Sequence, residues 1–301
     1  MVLACVVAGA AAPLLELDRW RLGILFVYPP RIAIAAVALA LALAWPRRAA
    51  RVVLVAAASL AAFELEWGGC TFGACAGGRT CGLVLVSFNT HNDAAALDGL
   101  RGLADRVGAD FLSLHEVRLG RRRELQARFP EFRFLAMTPP PAPASTGVYS
   151  SVVGVRKELL GQDAAVVLEP SITGYRTFAV RLSLGGAPLW LVAVHSTKPL
   201  WLENGMLVAV WRAPWSSGWH REEAELLAAW VRGHLDGSAI VASGDFNAPA
   251  VARATRLPGL RHAHAAGGRG PALSWPRWLP LWDIDHTLVS ANVRICRSRF
   301  V

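Results

Sequence analysis

The sequence predicts a mixed α/β sandwich behind an apolar, membrane-spanning N-terminal region, and three observations carry that prediction. Between residues 83 and 290, apolar runs of strand length alternate with a helical repeat and then follow one another through glycine turns. Crossover and hairpin connections in one chain imply helices packed on a sheet with antiparallel pairs. The 301 residues are 54% hydrophobic and only 18% charged, with a mean hydropathy of +0.37, more apolar than soluble domains usually are. The excess is concentrated in residues 1–67, where charges are confined to three short clusters.

Three apolar stretches fill that region: Met1–Leu15, Leu22–Trp45 (interrupted by Pro29, Pro30 and Arg31) and Val52–Phe63. A spanning helix needs about 20 apolar residues. The first and third are therefore short, and Trp67 extends the third with Glu64 and Glu66 near the interface. Residues 1–66 are expected to form a membrane region of about three transmembrane helices, with a buried soluble helical pair as the alternative. No basic segment precedes the first run, which disfavours a cleaved signal peptide. The loop "WPRRAAR", with Arg47, Arg48 and Arg51, belongs on the cytoplasmic side. The third helix then runs outward, so the expectation is a multi-pass protein of the cell membrane with its C-terminal domain extracytoplasmic. Residues 67–82 form a Cys/Gly-rich linker with Cys70, Cys75 and Cys81. An oxidising compartment allows one disulfide there. Zinc is disfavoured, because no histidine stands at ligand spacing.

The domain proper is residues 83–301. Leu83–Phe88 reads as a buried strand, and Leu97, Leu100, Leu103 and Val107 give a helical repeat stopped by Gly108. "ADFLSLHEVR" is the next strand and "TPPPAPASTG" a loop by its prolines. "YSSVVGVR", "YRTFAVRLSL" and "PLWLVAVHS" are successive strands, the last two a hairpin through Gly185, Gly186 and Ala187. Glu222–Leu235 is a helix, "SAIVASGDFN" a strand, and "WDIDHTLVS" the last recognisable one. The net charge of +9 favours phosphate-bearing partners, anionic lipid or nucleic acid, without choosing between them. Nothing in the sequence points to a protein partner.

Polar residues recur at strand ends, where α/β sheets build their sites: Asn89, Glu116, His195, Asp245 with Asn247, and Asp285. In "SGDFNAP", Asp245 and Asn247 would share one face of a strand end with Phe246 turned inward. A plain turn is the alternative there, and a salt bridge at the sheet edge is the alternative for Glu116.

"SFNTHN", "DFLSLHEVR", "LVAVHSTKP", "SGDFNAP" and "DIDHTLVS" resemble, in order and spacing, the motifs of the endonuclease/exonuclease/phosphatase superfamily. With the N-terminal apolar stretches, the chain most resembles membrane-anchored members associated with teicoplanin resistance, a form of antibiotic resistance. The resemblance implies a two-sheet α/β sandwich. It also implies a divalent ion on Glu116, Mg²⁺ or alternatively Mn²⁺, with Asn89 on the metal or the phosphate. Asp245 would orient or deprotonate the attacking water, and Asn247 would hold a phosphate oxygen. His195 would donate to the phosphoryl oxygen. Arg176, in "YRTFAVRL", lies where many members carry a phosphate-binding arginine; a strand-surface charge is its other reading. "LSWP" (Leu273–Pro276) also fits the family.

Three positions depart. His115 replaces the glutamine usual before the metal-binding glutamate, and His91 stands where some members carry an acidic or polar residue. In the family, an aspartate at the place of Asp285 orients a histidine in a later Ser-Asp-His motif, which a closing strand follows. No Ser-Asp-His occurs in this sequence. The expectation is therefore a missing last strand, an unpaired sheet edge, and activity lowered by the loss of an acid–base group, typically about 10²–10⁴-fold. His286, adjacent to Asp285, should face the other way.

The sequence thus points to a metal-dependent phosphoester or pyrophosphate hydrolase, a phosphodiesterase-type enzyme at the outer membrane surface. A lipid-linked phosphate such as polyprenyl pyrophosphate is the favoured substrate. Trp201, Trp211, Trp215 and Trp219, an aromatic segment suited to a membrane interface, support that choice. A nuclease is the alternative within the same chemistry, with Arg121–Arg123 as its groove. A catalytically impaired membrane protein that binds a phosphate ligand or a partner is the third reading.

Overall fold

The computed structural model describes residues 52, 82–91, 93–118, 121–135, 149–160, 167–168, 176–184, 186–198, 206–250, 252–268, 272–274 and 283–300. The expected spanning helices (Val52 excepted), the arginine loop, the three linker cysteines and Trp201 lie outside these residues. Among the described residues, no helix is long and apolar enough to cross a membrane.

Strand β1 (Leu85–Asn89) starts two residues later than the apolar run. Val84 is spent instead on Asp110, its N–H donating to Oδ2 at 2.8 Å. Helix α1 (Ala94–Val107) is capped by Asp93, which accepts from the Ala95 N–H, and ends at Gly108, whose φ of +65° suits glycine. It buries Leu97, Leu100 and Ala104. Val107, expected on that face, is 42% exposed, in the last turn beyond Ala104, the last buried residue of the helix. Strand β2 (Phe111–Arg118) pairs parallel with β1. Helix α2 (Arg122–Arg128) and strand β3 (Phe132–Leu135) follow, neither of them expected from the sequence. Strand β4 (Tyr149–Arg156) runs antiparallel to β2 and β3, giving a first sheet of order β1-β2-β4-β3.

The second sheet holds β5 (Val167–Leu168), β6 (Phe178–Leu184), β7 (Ala187–His195), β8 (Ala239–Asp245), β9 (Leu260–His262) and β10 (Asp285–Ser290). Its order is β9-β10-β8-β7-β6-β5. The β6–β7 hairpin is antiparallel as expected. The parallel pair β7–β8 needs a crossover, and α3 (Met206–Gly233) supplies it. That helix is far longer than the expected Glu222–Leu235. Its C-terminal half buries Leu227 and Val231. Residues 206–219 interrupt their apolar and aromatic residues with Arg212, Pro214, Ser216, Ser217 and Gly218, so periodicity could not separate them from a loop.

The expected open edge beside "DIDHTLVS" is closed only in part. Strand β10 pairs with β8 on one side, and on the other the short β9 covers Leu288–Ser290, leaving Asp285–Thr287 without a ladder partner there among the described residues. A three-residue strand, Leu260–His262, carries too little pattern to be seen in sequence.

Three clusters of apolar side chains define the layers. Phe111, Val153 and Val155 of the first sheet meet Phe178, Val180, Leu191 and Ala193 of the second. Leu97, Leu100 and Leu125 from α1 and α2 cover the outer face of the first sheet. Leu227 and Val231 from α3 cover Trp190, Val192 and Ile240 of the second. The architecture is a two-sheet α/β sandwich with helices outside, and the ends of β1, β2, β7, β8 and β10 open on one side.

Candidate active site

Glu116 reaches that opening through a bulge. Leu114 pairs with Val152 and Val117 with Ser150, so His115 and Glu116 together oppose Ser151 alone. The extra residue is absorbed by Glu116, whose φ is +54°. Thr90 secures the distortion: its N–H donates to the His115 carbonyl at 2.9 Å, and its hydroxyl lies 3.1 Å from the carbonyls of His115 and Glu116.

Three nitrogens surround the Glu116 carboxylate: His91 Nδ1 at 3.3 Å, His195 Nε2 at 3.6 Å and Lys198 Nζ at 3.8 Å. Burial opposes ionisation of Glu116, but hydrogen bonds from His195 and His91 and the charge of Lys198 outweigh it, holding its pKa far below the usual range. His91 has the converse shift, its pKa raised chiefly by the bond to Glu116.

Asp245 ends β8 without a shift of register. The Asn247 N–H donates to its Oδ1 at 2.9 Å and Asn89 Nδ2 to its Oδ2 at 3.1 Å. Asn89 therefore orients Asp245, and its own Oδ1 accepts from the His91 N–H at 3.0 Å. Asp285 stands directly opposite Asp245 across the β8–β10 ladder. Burial pushes up the pKa of both, and for Asp245 the Asp285 charge adds to it. Ser274 of "LSWP" supports Asp285: its Oγ accepts from the Asp285 N–H at 3.2 Å and its hydroxyl bonds the carboxylate.

The expected shared face of Asp245 and Asn247 does not arise from strand alternation. The strand ends at Asp245, and Asn247 turns with φ +49°. Its Nδ2 donates to the Ser196 carbonyl at 2.8 Å, leaving the second amide hydrogen for a ligand. Phe246 is buried as expected.

His195 is buried, and its Nδ1 has no partner among the described residues. Burial, then the charge of Arg176 against the bond to Glu116, lowers its pKa. Arg176 thus lies close enough to act on the site, and His195 N–H donates to its neighbour Thr177 Oγ1 at 3.2 Å. The loop after His195 is held from α3: Glu223 accepts from the Thr197 N–H at 2.6 Å and from its hydroxyl at 2.8 Å. His286 points away from Asp285, as expected, with Nε2 2.7 Å from the Ala248 carbonyl and its ring against Phe246 and His262.

Donor atoms of Glu116, His195 and Asp245 all lie within 4.8 Å of one another. Two carboxylates and an imidazole with an orphaned buried nitrogen fit a divalent cation. The sequence picked out Glu116, Asn89, His195, Asp245, Asn247 and Asp285, and the structure brings them to one opening. Thr90, Lys198, Glu223 and the role of Ser274 were missed, since each acts through a contact between distant segments.

Residues 86–301 match the model of the Endonuclease/Exonuclease/phosphatase family. The chain belongs to that family. No curated protein matches it by sequence. Among solved structures, the AP endonuclease LMAP from Leishmania major is similar at 13% identity and a TM-score of 0.53, over 76% of this chain and 86% of that one. Truncated TDP2 from Caenorhabditis elegans is similar at 16% identity and a TM-score of 0.50, over 69% and 84%. A mannosyl-6-phosphatase from Bacteroides thetaiotaomicron aligns at 14% identity and a TM-score of 0.48, over 70% and 86%. At these identities the first two likenesses establish the fold.

Proposed function

We propose that this chain is a divalent-metal-dependent hydrolase of phosphoester or pyrophosphate bonds, and that its substrate is a lipid-linked phosphate such as a polyprenyl pyrophosphate. The convergence of Glu116, His195 and Asp245 supports the chemistry. Glu116 would hold Mg²⁺ or Mn²⁺, with Asp245 and His195 in reach of the same ion. When bound, such an ion polarises a phosphoryl oxygen and offsets its charge.

The chain's own side chains do the rest. Asp245, with both oxygens fixed by Asn89 and the Asn247 main chain, orients the attacking water and takes its proton. The second amide hydrogen of Asn247, without a partner among the described residues, meets a phosphoryl oxygen where charge grows, and the ring N–H of His195, which bonds Glu116 here, would turn to another. Arg176 adds positive charge on the same side. Burial, and then the charge of Asp285 behind it, keep the proton affinity of Asp245 high, which suits a base acting near neutral pH.

The lipid rests on the sequence: apolar stretches before the domain, the basic loop Arg47–Arg51 that would keep the domain extracytoplasmic, and the tryptophan-rich segment entering α3. A tethered domain meets lipid phosphates at high effective concentration. The test is phosphate release from a polyprenyl pyrophosphate in mixed micelles and from a DNA oligonucleotide, each with Mg²⁺, with Mn²⁺ and with chelator. Metal-dependent release from the lipid alone is expected. Cleavage of DNA alone would replace the lipid reading with a nuclease, and no turnover of either would leave a phosphate-binding membrane protein.

A further inference from the structure

Beneath the carboxylates, His115 is fully buried where the two sheets meet. Its Nδ1 lies 3.1 Å from Ser151 Oγ on β4 and its Nε2 3.2 Å from Ser113 Oγ on β2. Both serines reach further. The Ser151 hydroxyl donates to the Arg176 carbonyl at 2.5 Å, and Ser113 Oγ lies 3.3 Å from the Ser243 carbonyl on β8. A line of polar groups therefore runs from the Arg176 main chain through Ser151 and His115 to Ser113.

The bonds have a direction. A neutral imidazole donates from one nitrogen and accepts at the other. Ser151 has a single hydroxyl proton, committed to Arg176, so the ring donates from Nδ1. Its Nε2 then accepts from Ser113, so that hydroxyl's one proton is not shared with the Ser243 carbonyl. The fold also leaves room for this ring and no more. Gly244, next to Asp245, has φ +148°, and a Cβ there would fall 2.6 Å from His115 Cε1 and Nε2. Buried polar groups are costly unless satisfied, and an apolar residue would fill the space without needing two serines. The polar line must therefore serve geometry.

We propose that His115 is a positioning residue that sets Glu116 and Arg176 together. The ring fixes the bulge that turns Glu116 into the opening. Through Ser151 it fixes the main chain at Arg176, and Thr177, one residue on, is bonded to the His195 N–H. One buried side chain thus couples the metal-facing carboxylate to the phosphate-facing guanidinium. The inference rests on the phosphoester reading of the site, and the experiment separates the two.

Binding of Mn²⁺ and of inorganic phosphate is measured on the full chain for wild type, Ser151→Ala, His115→Leu and His115→Gln, with thermal unfolding alongside. Ser151→Ala severs the link from the ring to Arg176 and leaves His115 held through Ser113, so phosphate affinity should fall about tenfold, the scale of one buried hydrogen bond, and Mn²⁺ affinity by less. His115→Leu should lower both. His115→Gln, which can still donate and accept, should restore both to near wild type. If wild type binds neither probe, the phosphoester reading fails and the coupling with it. If wild type binds both, and Ser151→Ala binds phosphate equally well despite a lowered melting temperature, the network is merely structural. Should His115→Leu not fold, the Ser151→Ala and His115→Gln pair decides alone.

Discussion

Glu116 leaves the first sheet through a bulge, whereas Asp245 ends an unbroken strand of the second. The irregular end needs outside support, from Thr90 and His115, and presents a carboxylate among three nitrogens. The regular end brings a second carboxylate opposite the first by register alone. One acid is therefore held ionised and the other is pressed toward its protonated form. The same residue chemistry yields an ionised carboxylate in one sheet and one with a raised proton affinity in the other, and the difference lies in the backbone beneath.

The comparison breaks first at Asp245. Asp245→Asn keeps the acceptor for the Asn247 N–H but loses the one for Asn89 and cannot take a proton, so hydrolysis should fall by about 10²–10⁴-fold with the fold retained. A rate near wild type would show that the two acids do not divide the work. Glu116→Gln should act on the other half. Mn²⁺ affinity, read by calorimetry, should drop roughly tenfold or more with loss of the charge, while Asp245 and Asp285 keep their pairing.

Gly244→Ala tests the shared floor of both ends. The added Cβ would overlap the Val194 carbonyl oxygen and the His115 ring. A loss of about 2–4 kcal/mol in denaturant unfolding is expected, and a neutral result would mean that the sheets do not meet as tightly as described.

The smallest effect belongs to the histidines behind the regular end. Burial first, then His286 and Arg256, hold the pKa of His262 at about 3. Burial likewise holds His286 at about 4 against bonds to the Ala248 and Asp283 main chain. Below pH of about 6.5 the unfolded chain takes up protons that the folded one refuses. The stability contributed by these neutral rings is complete above that pH, drains as pH falls through the window, and levels off near 3. His262→Leu should flatten the slope of unfolding free energy between pH 6.5 and 4 by up to one proton, measured in urea at several pH values.

Much of this site could be read from the sequence because its residues stand at the ends of apolar runs. The strand "LVAVH" is buried on both faces, and the placement of His195 follows from its length. His286 faced away from Asp285 because period-two alternation holds within β10. The same rule failed for Asn247, since a residue just past a strand end obeys turn geometry. The bulge at Glu116 was invisible for a different reason: it exists only in the register of β2 against β4, and a single segment carries no record of its partner. Strand β3, four residues with an exposed arginine in the middle, fell below the length at which alternation is distinguishable from chance.

His91, Glu116 and Asn247 share one more property, backbone φ values of +45°, +54° and +49°. Each is a conformation that glycine adopts freely and a side chain adopts at a cost of about 1 kcal/mol. Under selection for heat tolerance alone, these are the positions where glycine would be rewarded, and a lineage that no longer needed the chemistry would lose them first. Finding Gly at any of the three in a close relative would therefore date the loss of function in that branch before any change appears in the core.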